Sequence, residues 1–320
     1  MDALEAARRS VGSVHHRALL PAVEPFALGA SLRALTGFAP CAGDQSVSGE
    51  RVRKALVRPG RPDQAVVVEL SASPDGGGIA LTVFAGQPLT PAEAAAVEAA
   101  AGRWLGLADN LAPFLDRAWR DPAMTPILSV TEGLHQVRFA SWSEAVVYFT
   151  LTQRSTQWFA ASRKRQIAAD FGPRLTVGGV THVAFPELGT LRDTDLTAHA
   201  GGGQRARRLR EVIDGVAELD EEWLREVPYA RARDALLAVR GVGGFTAHAL
   251  LLRALGRPDD VPLQMPQFST AARAVYGADP PSPDWLREWY GPYVGWWAYL
   301  CRTGLGWLEQ NACQPRPAAA

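Results

Sequence analysis

The chain is 320 residues long, room for two domains or three small ones, and its 47% hydrophobic and 21% charged content describes a globular protein with ample core. Its 33 basic residues balance 33 acidic ones, giving zero net charge. That excludes a histone-like polybasic binder but not a local basic cleft, because affinity for phosphates depends on where the cations sit.

Residues 1–13 are charged and read as helical, without the apolar stretch of a secretory signal, and no apolar run anywhere reaches membrane-spanning length. Residues 17–20, 64–71 (QAVVVELS) and 79–84 (IALTVF) read as strands, dense in β-branched residues, and the last two form a hairpin through the turn at 73–77. Thr90 as N-cap and Pro91 at the first position start an Ala-rich helix over 91–105. A small antiparallel α+β domain over residues 1–108 is the expected result.

From residue 110 onward strand signals almost vanish. Helical patterns cover 110–119, 143–171, 206–217, 221–227, 229–240, 246–255, 266–276 and 284–308, with Gly-rich loops at 176–179 and 200–203 and a Pro/Ala-rich tail at 314–320 expected to fray. Residues 109–320 are thus expected to form an all-helical body of two lobes, with any active cleft between them. The three cysteines, Cys41, Cys301 and Cys313, have no zinc spacing and cannot supply a four-cysteine iron–sulfur cluster; their sparse count fits a reducing cytoplasm.

The most telling stretch is 235–256, ALLAVRGVGGFTAHALLLRALG. The apolar run Leu236, Leu237, Val239 meets Gly241-Val242-Gly243, and a second run (Phe245, Ala249, Leu252, Leu255) follows at once. Helix, glycine turn and helix make a hairpin over 230–256. Without Cβ atoms the turn can approach an anion closely, and the second helix aims its unpaired N–H groups and positive dipole end toward it. Close helix packing or a C-cap is the other use for such glycines, and the turn alone leaves both open.

VRGVGGFTA, from Val239 to Ala247, resembles the helix-hairpin-helix element of the DNA base-excision glycosylases, L-x-G-(V/I)-G-x-(W/F)-T-A. Three further stretches resemble the 3-methyladenine DNA glycosylase II branch in the right order. They are FASWSEAVVYFTLTQRST (139–156), AFPELGTL (184–191) followed by GGGQRARRLREV (201–212), and PYVGWWAYLCRTGLGW (292–307). The resemblance spans nearly the whole chain. It implies an N-terminal antiparallel sheet domain before a two-lobed helical glycosylase body, and duplex DNA carrying damaged, alkylated bases as partner.

A glycosylase must grip phosphate, plug the vacated stack and stabilise positive charge on the sugar while the flipped base sits among flat side chains. The resemblance places the grip at Gly241, Val242, Gly243, Gly244 and Thr246, and a monovalent or divalent cation on the carbonyls of Leu237, Val239 and Val242. It places a base-side polar contact at Gln153 and the wedge at Arg154, where close relatives carry an apolar residue; a solvated helix end is the other reading of that pair. The base pocket maps to Phe245, Met265, Tyr293 and Trp296, with Trp297 beside them, although aromatic residues at helical spacing also serve a plain core. The basic residues Arg163, Lys164, Arg165, Arg205, Arg207, Arg208 and Arg210 either line the approach to DNA or form solvated faces.

The resemblance breaks at the acid. The family places an Asp just before the helix that follows the hairpin, and here the segment reads PDDVPLQMPQFSTAAR, which puts Met265, or by ungapped counting Gln264, in that slot. Asp259 and Asp260 fall five or more residues early. Substitutes in reach of the sequence are Glu144, or a water held by Gln153, Gln264 or His248, the last also readable as an ordinary helix-surface histidine. The expectation is a cytoplasmic, monomeric, monofunctional glycosylase that hydrolyses the N-glycosidic bond of an alkylated base without the usual Asp. It would need no cofactor and lacks a Schiff-base lysine beside the turn, where Arg240 and Gly244 stand. A non-catalytic lesion-binding protein of the same fold is the alternative; a scaffold that has lost DNA binding is a third.

Overall fold

The computed structural model describes residues 10–74 and 77–313. The tail expected to fray, most of the expected first helix and part of the 73–77 turn lie outside these residues. Where the chain enters the described region it is strand, not helix. β1 is Ser10–Val11 and β2 is Ser13–Leu20, followed by α1 at Leu28–Thr36, β3 at Gln45–Ser48, β4 at Arg51–Arg58, β5 at Arg61–Ala72 and β6 at Ile79–Ala85. The five strands β2-β6-β5-β4-β3 form one antiparallel sheet, with Leu70 opposite Leu81 and Leu56 opposite Val66.

β5 carries the β-branched run because it is covered on both faces. Val66, Val68 and Leu70 face the main core, while Ala65 and Val67 face a small cluster with Leu175 and Val177. β3 and β4 escape a hydrophobicity reading because β4 buries cations. Lys54 pairs with Glu144, and Arg58 donates to both oxygens of Glu93 at 2.8 and 2.9 Å. α2, Pro91–Leu105, starts in a capping box: Thr90 Oγ1 accepts from the Glu93 N–H at 3.3 Å, and the Glu93 carboxylate accepts from the Thr90 N–H at 2.7 Å.

The helical body follows with α3 (Ala112–Ala118), α4 (Thr125–Val130), α5 (Trp142–Leu151) and α6 (Gln157–Phe171). A hairpin of two strands, β7 (Arg174–Val177) and β8 (Val180–Val183), turns through Gly178-Gly179, and β1 adds to it in parallel at Ser10↔Leu175. The expected loop at 176–179 is therefore a strand hairpin: two consecutive glycines at positive φ suit a tight turn. Next come α7 (Leu188–Arg192), α8 (Thr197–Ala200), α9 (Gly203–Ala217), α10 (Glu221–Glu226), α11 (Tyr229–Ala238), α12 (Gly244–Arg253), α13 (Pro266–Tyr276), α14 (Pro283–Tyr290) and α15 (Val294–Cys313). The single helix expected over 143–171 is two, broken at Arg154, whose φ of +54° makes it the one non-glycine residue at positive φ among the described residues.

Two cores result, and they do not follow chain order. One joins the sheet and α1–α4 to α13–α15; the other gathers α5–α12 and takes in Phe38 and Cys41 from the N-terminal part. The lobes meet where α15 crosses the end of α12 and the loop that follows it. A Cβ on Gly295 would stand 2.8 Å from Leu252 and from the Pro258 backbone, and the Gly295 N–H donates to the Pro258 carbonyl at 2.8 Å. Among the described residues no helix is long and apolar enough to cross a membrane.

Candidate functional site

α11 and α12 are the two arms of the glycine hairpin. Leu236, Val239, Val242, Ala247, Leu250 and Leu251 face the second core, and this apolar side holds the turn at the surface. Gly241 sits at φ +91°, and a Cβ there would meet Val212 at 2.9 Å, so that glycine serves the fold. Gly243 and Gly244 are different. Both are exposed, and a Cβ built on either meets nothing within 4 Å. They open α12, whose first N–H groups have no intrahelical acceptor.

Beside the turn, a cleft of about 540 Å³ runs between the lobes. Phe245, the residue after Gly244, forms part of its wall with Phe38, Tyr148, Phe149, Tyr299 and Trp307. Phe149 and Phe245 meet edge to face at 6.2 Å. A second concavity of about 630 Å³ lies over the five-stranded sheet, lined by Arg17, Leu19, Arg51, Pro74 and neighbours but by no aromatic residue. It lacks the flat faces that a nucleobase needs.

An 8-oxoguanine glycosylase/lyase of Clostridium acetobutylicum superposes with a TM-score of 0.66 over 92% of this chain and 98% of its own, at 17% identity. A 3-methyladenine DNA-glycosylase from Archaeoglobus fulgidus reaches a TM-score of 0.73 over 91% of this chain and 99% of its own, at 19% identity. The chain has the fold of the helix-hairpin-helix DNA glycosylases. In sequence, this glycosylase-fold chain is 26% identical over 206 residues to a DNA-3-methyladenine glycosylase of Bacillus subtilis, a match spanning 61% of this chain and 67% of that protein. It is 27% identical over 144 residues to a probable bifunctional transcriptional activator/DNA repair enzyme AlkA of Mycobacterium tuberculosis, of which it covers 29%. No protein-family model matches the chain.

Not every residue read as a DNA contact in this glycosylase fold is free to make one. The Val242 N–H is taken by the Val239 carbonyl at 3.0 Å and its side chain is buried, which removes it from the set; the amides of Gly241, Gly243 and Gly244 have no acceptor among the described residues, and of these Gly243 and Gly244 are the exposed ones. Gln153 does not face a base: its Nε2 donates to the Gly241 carbonyl at 2.9 Å and to Thr246 Oγ1 at 3.1 Å, tying the end of α5 to the turn. Thr246, 2% exposed, is the other end of that tie and not a phosphate ligand. Arg154 is exposed at the strained break, and its carbonyl accepts from Arg205 at 3.4 Å. Of the hairpin carbonyls, that of Val239 keeps one lone pair after accepting from Val242.

The base-pocket set is half corrected. Phe245 and Met265 line the cleft; Tyr293 and Trp296 do not. Those two stack on each other at 5.5 Å with rings 7° from parallel, and Trp296 meets Phe114 edge-on at 6.2 Å in the first core. Trp297 is buried too and donates to the Tyr276 hydroxyl at 3.2 Å. The cleft takes its aromatic residue from the next turn of the same helix, Tyr299, with Arg302 one turn further. Their i, i+3 spacing signals a shared face in sequence, but nothing there says which face opens.

Met265 is the N-cap residue of α13 and makes no side-chain cap. Gln264 is exposed and does not line the cleft. Asp259 is paired with Arg257 at 3.3 Å and Asp260 with Arg287 at 3.0 Å. Glu144 is 1% exposed, held by Lys164 Nζ at 2.5 Å and Lys54 Nζ at 3.3 Å. Lys164 is thus a buried counter-ion rather than part of a DNA-facing run. Burial pushes the Glu144 carboxyl up, but the two ammoniums outweigh it and hold it at about 2.

Of the candidates for holding water, only His248 lines the cleft. The Tyr229 hydroxyl donates to the Asp260 carbonyl at 3.0 Å, so the contact of 2.8 Å between His248 Nδ1 and that hydroxyl is donated by Nδ1–H. Burial lowers the His248 pKa. With Nδ1–H engaged in that bond, Nε2 is the nitrogen that carries the lone pair in the neutral ring.

Proposed function

We propose that this protein is a DNA base-excision glycosylase of the monofunctional, hydrolytic kind. It grips duplex DNA through the amides of Gly243 and Gly244 and lodges a flipped, damaged base in the aromatic cleft. One observation carries this reading: the open glycine amides and the cleft wall are adjacent in the chain, Gly243-Gly244-Phe245, so a strand held at the turn presents its nucleotide to the cleft. The names of the relatives support alkylated bases as the damage. Trp158, 75% exposed next to the broken segment around Arg154, offers a further flat face to the strand.

No lysine lines the cleft, so no Schiff base is available there. No carboxylate lines it either, and a water polarised by His248 Nε2 is the nucleophile this chain's residues can supply. The carbonyls of Leu237, Val239 and Val242 are hard, neutral donors of the kind that suits a hard cation bridging to phosphate.

The test is a set of duplexes bearing 3-methyladenine, 1,N6-ethenoadenine or hypoxanthine, incubated with protein and then heated in alkali. We expect lesion-dependent strand breaks that Phe245→Ala suppresses about tenfold or more, the scale of losing one base–aromatic stack. Breaks unaffected by Phe245→Ala, together with lesion affinity no higher than for undamaged duplex, would overturn the reading. Lesion-selective binding without breaks would instead make the chain a lesion binder.

A further inference from the structure

The cleft is electrostatically one-sided. Arg253 and Arg302 line it, and no Asp or Glu does. Among the described residues Arg302 has no hydrogen-bond or ion-pair partner. Arg253 is clamped between Phe38 and Tyr299, its guanidinium 4.6 and 5.1 Å from the two ring centres. It donates to the Val137 carbonyl at 3.2 Å, and its buried Nε has no partner. The nearby carboxylates are committed elsewhere, Glu144 to Lys54 and Lys164, Asp259 to Arg257 and Asp260 to Arg287. Two cations facing one partly dry cleft repel each other and repel any cation that enters; an electron-rich guest relieves both costs.

Damaged bases divide by this criterion. An N3- or N7-alkylated purine is a cation in DNA and leaves as a neutral base, so a guanidinium beside it opposes binding and gives no help at bond cleavage. A neutral alkylated base, such as an O-alkylated pyrimidine or an etheno adduct, leaves as an anion. Resting on the glycosylase reading above, we propose that this cleft selects neutral alkylated bases over cationic ones, with Arg302 as the specificity residue that donates to the leaving base. The C1′–N bond breaks with its electron pair passing to the base, where Arg302 stabilises the charge. A water oxygen bonds to C1′, and the proton it sheds passes to His248 Nε2 and then to the departing base anion. A leaving-group anion held by a guanidinium is a second way to lower this barrier when no carboxylate steadies the sugar cation.

Equilibrium binding and single-turnover excision on otherwise identical duplexes decide the matter. One carries 1,N6-ethenoadenine, whose own fluorescence reports unstacking, one carries 7-methylguanine, and one is undamaged. The wild-type chain should favour ethenoadenine over 7-methylguanine by about tenfold or more, the size of one charge-assisted hydrogen bond set against a like-charge contact. Arg302→Gln should erase the preference, costing more affinity on the ethenoadenine duplex than on the undamaged one. Arg302→Lys should keep its sign, and Arg302→Glu should invert it. Arg302 is solvent-exposed on one side, so these variants fold, which thermal melts verify. A wild-type preference for 7-methylguanine overturns the selection while leaving a glycosylase. An Arg302→Gln loss equal on all three duplexes makes Arg302 a phosphate contact and overturns its role. Absence of lesion-dependent binding or excision on every duplex overturns this inference and the glycosylase reading together.

Discussion

Replacing Glu144 by glutamine removes the carboxylate on which two buried ammoniums converge. Lys164 Nζ lies 2.5 Å from it and Lys54 Nζ 3.3 Å, with the Cys41 thiol at 3.4 Å; Asp44 also pairs with Lys164, but among the described residues Lys54 pairs with no other carboxylate. Glutamine fills the same space, so no cavity term enters; the cost is an uncompensated buried charge, about 3–5 kcal/mol. Unfolding entropy of about 2.1 cal/mol/K per residue over 320 residues gives about 0.7 kcal/mol/K. The melting temperature at pH 7 should therefore fall by about 5–7 °C.

The pH profile supplies a second readout. The Glu144 carboxyl is held at about 2 in the folded chain against an ordinary 4.5. Its contribution is therefore complete above pH 4.5 and fades as pH falls toward 2. Lys164 moves the other way. Burial lowers its pKa, but the Cys41, Glu144 and Asp44 charges raise it further, so its contribution is complete below 10.5 and fades as pH rises beyond that. Melting curves of wild type and Glu144→Gln, followed by far-ultraviolet circular dichroism from pH 3 to 11, should lie furthest apart between about 4.5 and 10.5 and converge outside. A gap under about 1 °C at pH 7, or one that does not vary with pH, would refute the argument.

Two further substitutions separate stability from function. Gly243→Asp puts a carboxylate at the N-cap of α12 in open space; the melting temperature should hold or rise slightly, while DNA affinity falls about tenfold or more on damaged and undamaged duplex alike, since the new charge stands where a phosphate would. Met265→Asp puts a carboxylate at the N-cap of α13, the slot where the resemblance leads one to expect an acid. It should stabilise the helix by about 0.5–2 kcal/mol and raise single-turnover excision by about 10²–10³, read on the ethenoadenine duplex.

The hairpin is legible in the sequence because its signal is local: two apolar helical runs flank the Gly241-Val242-Gly243 turn, and the residues after it complete the resemblance. The helices at 91–105 and 266–276 were legible for the same reason, each begun by a proline in the first turn. Strand β4 was not, because its buried Lys54 and Arg58 are neutralised by Glu144 and Glu93, residues 90 and 35 positions away. Gln153 illustrates a different limit. The resemblance sets it at a helix end, but only coordinates show its amide spent on Gly241 and Thr246. The aromatic wall is harder to read, since Tyr293, Trp296 and Tyr299 share a spacing and differ only in what packs on them.

The first core is sewn from both ends of the chain, Leu20 at one extreme and Trp307 at the other. A nascent polypeptide thus has all five strands of the sheet by residue 85, while the core that covers them is closed only by the helices after residue 266. Tyr299 and Arg302 both lie on α15, so on the reading proposed above a chain cut before residue 294 would keep the glycine turn and lose part of the cleft wall.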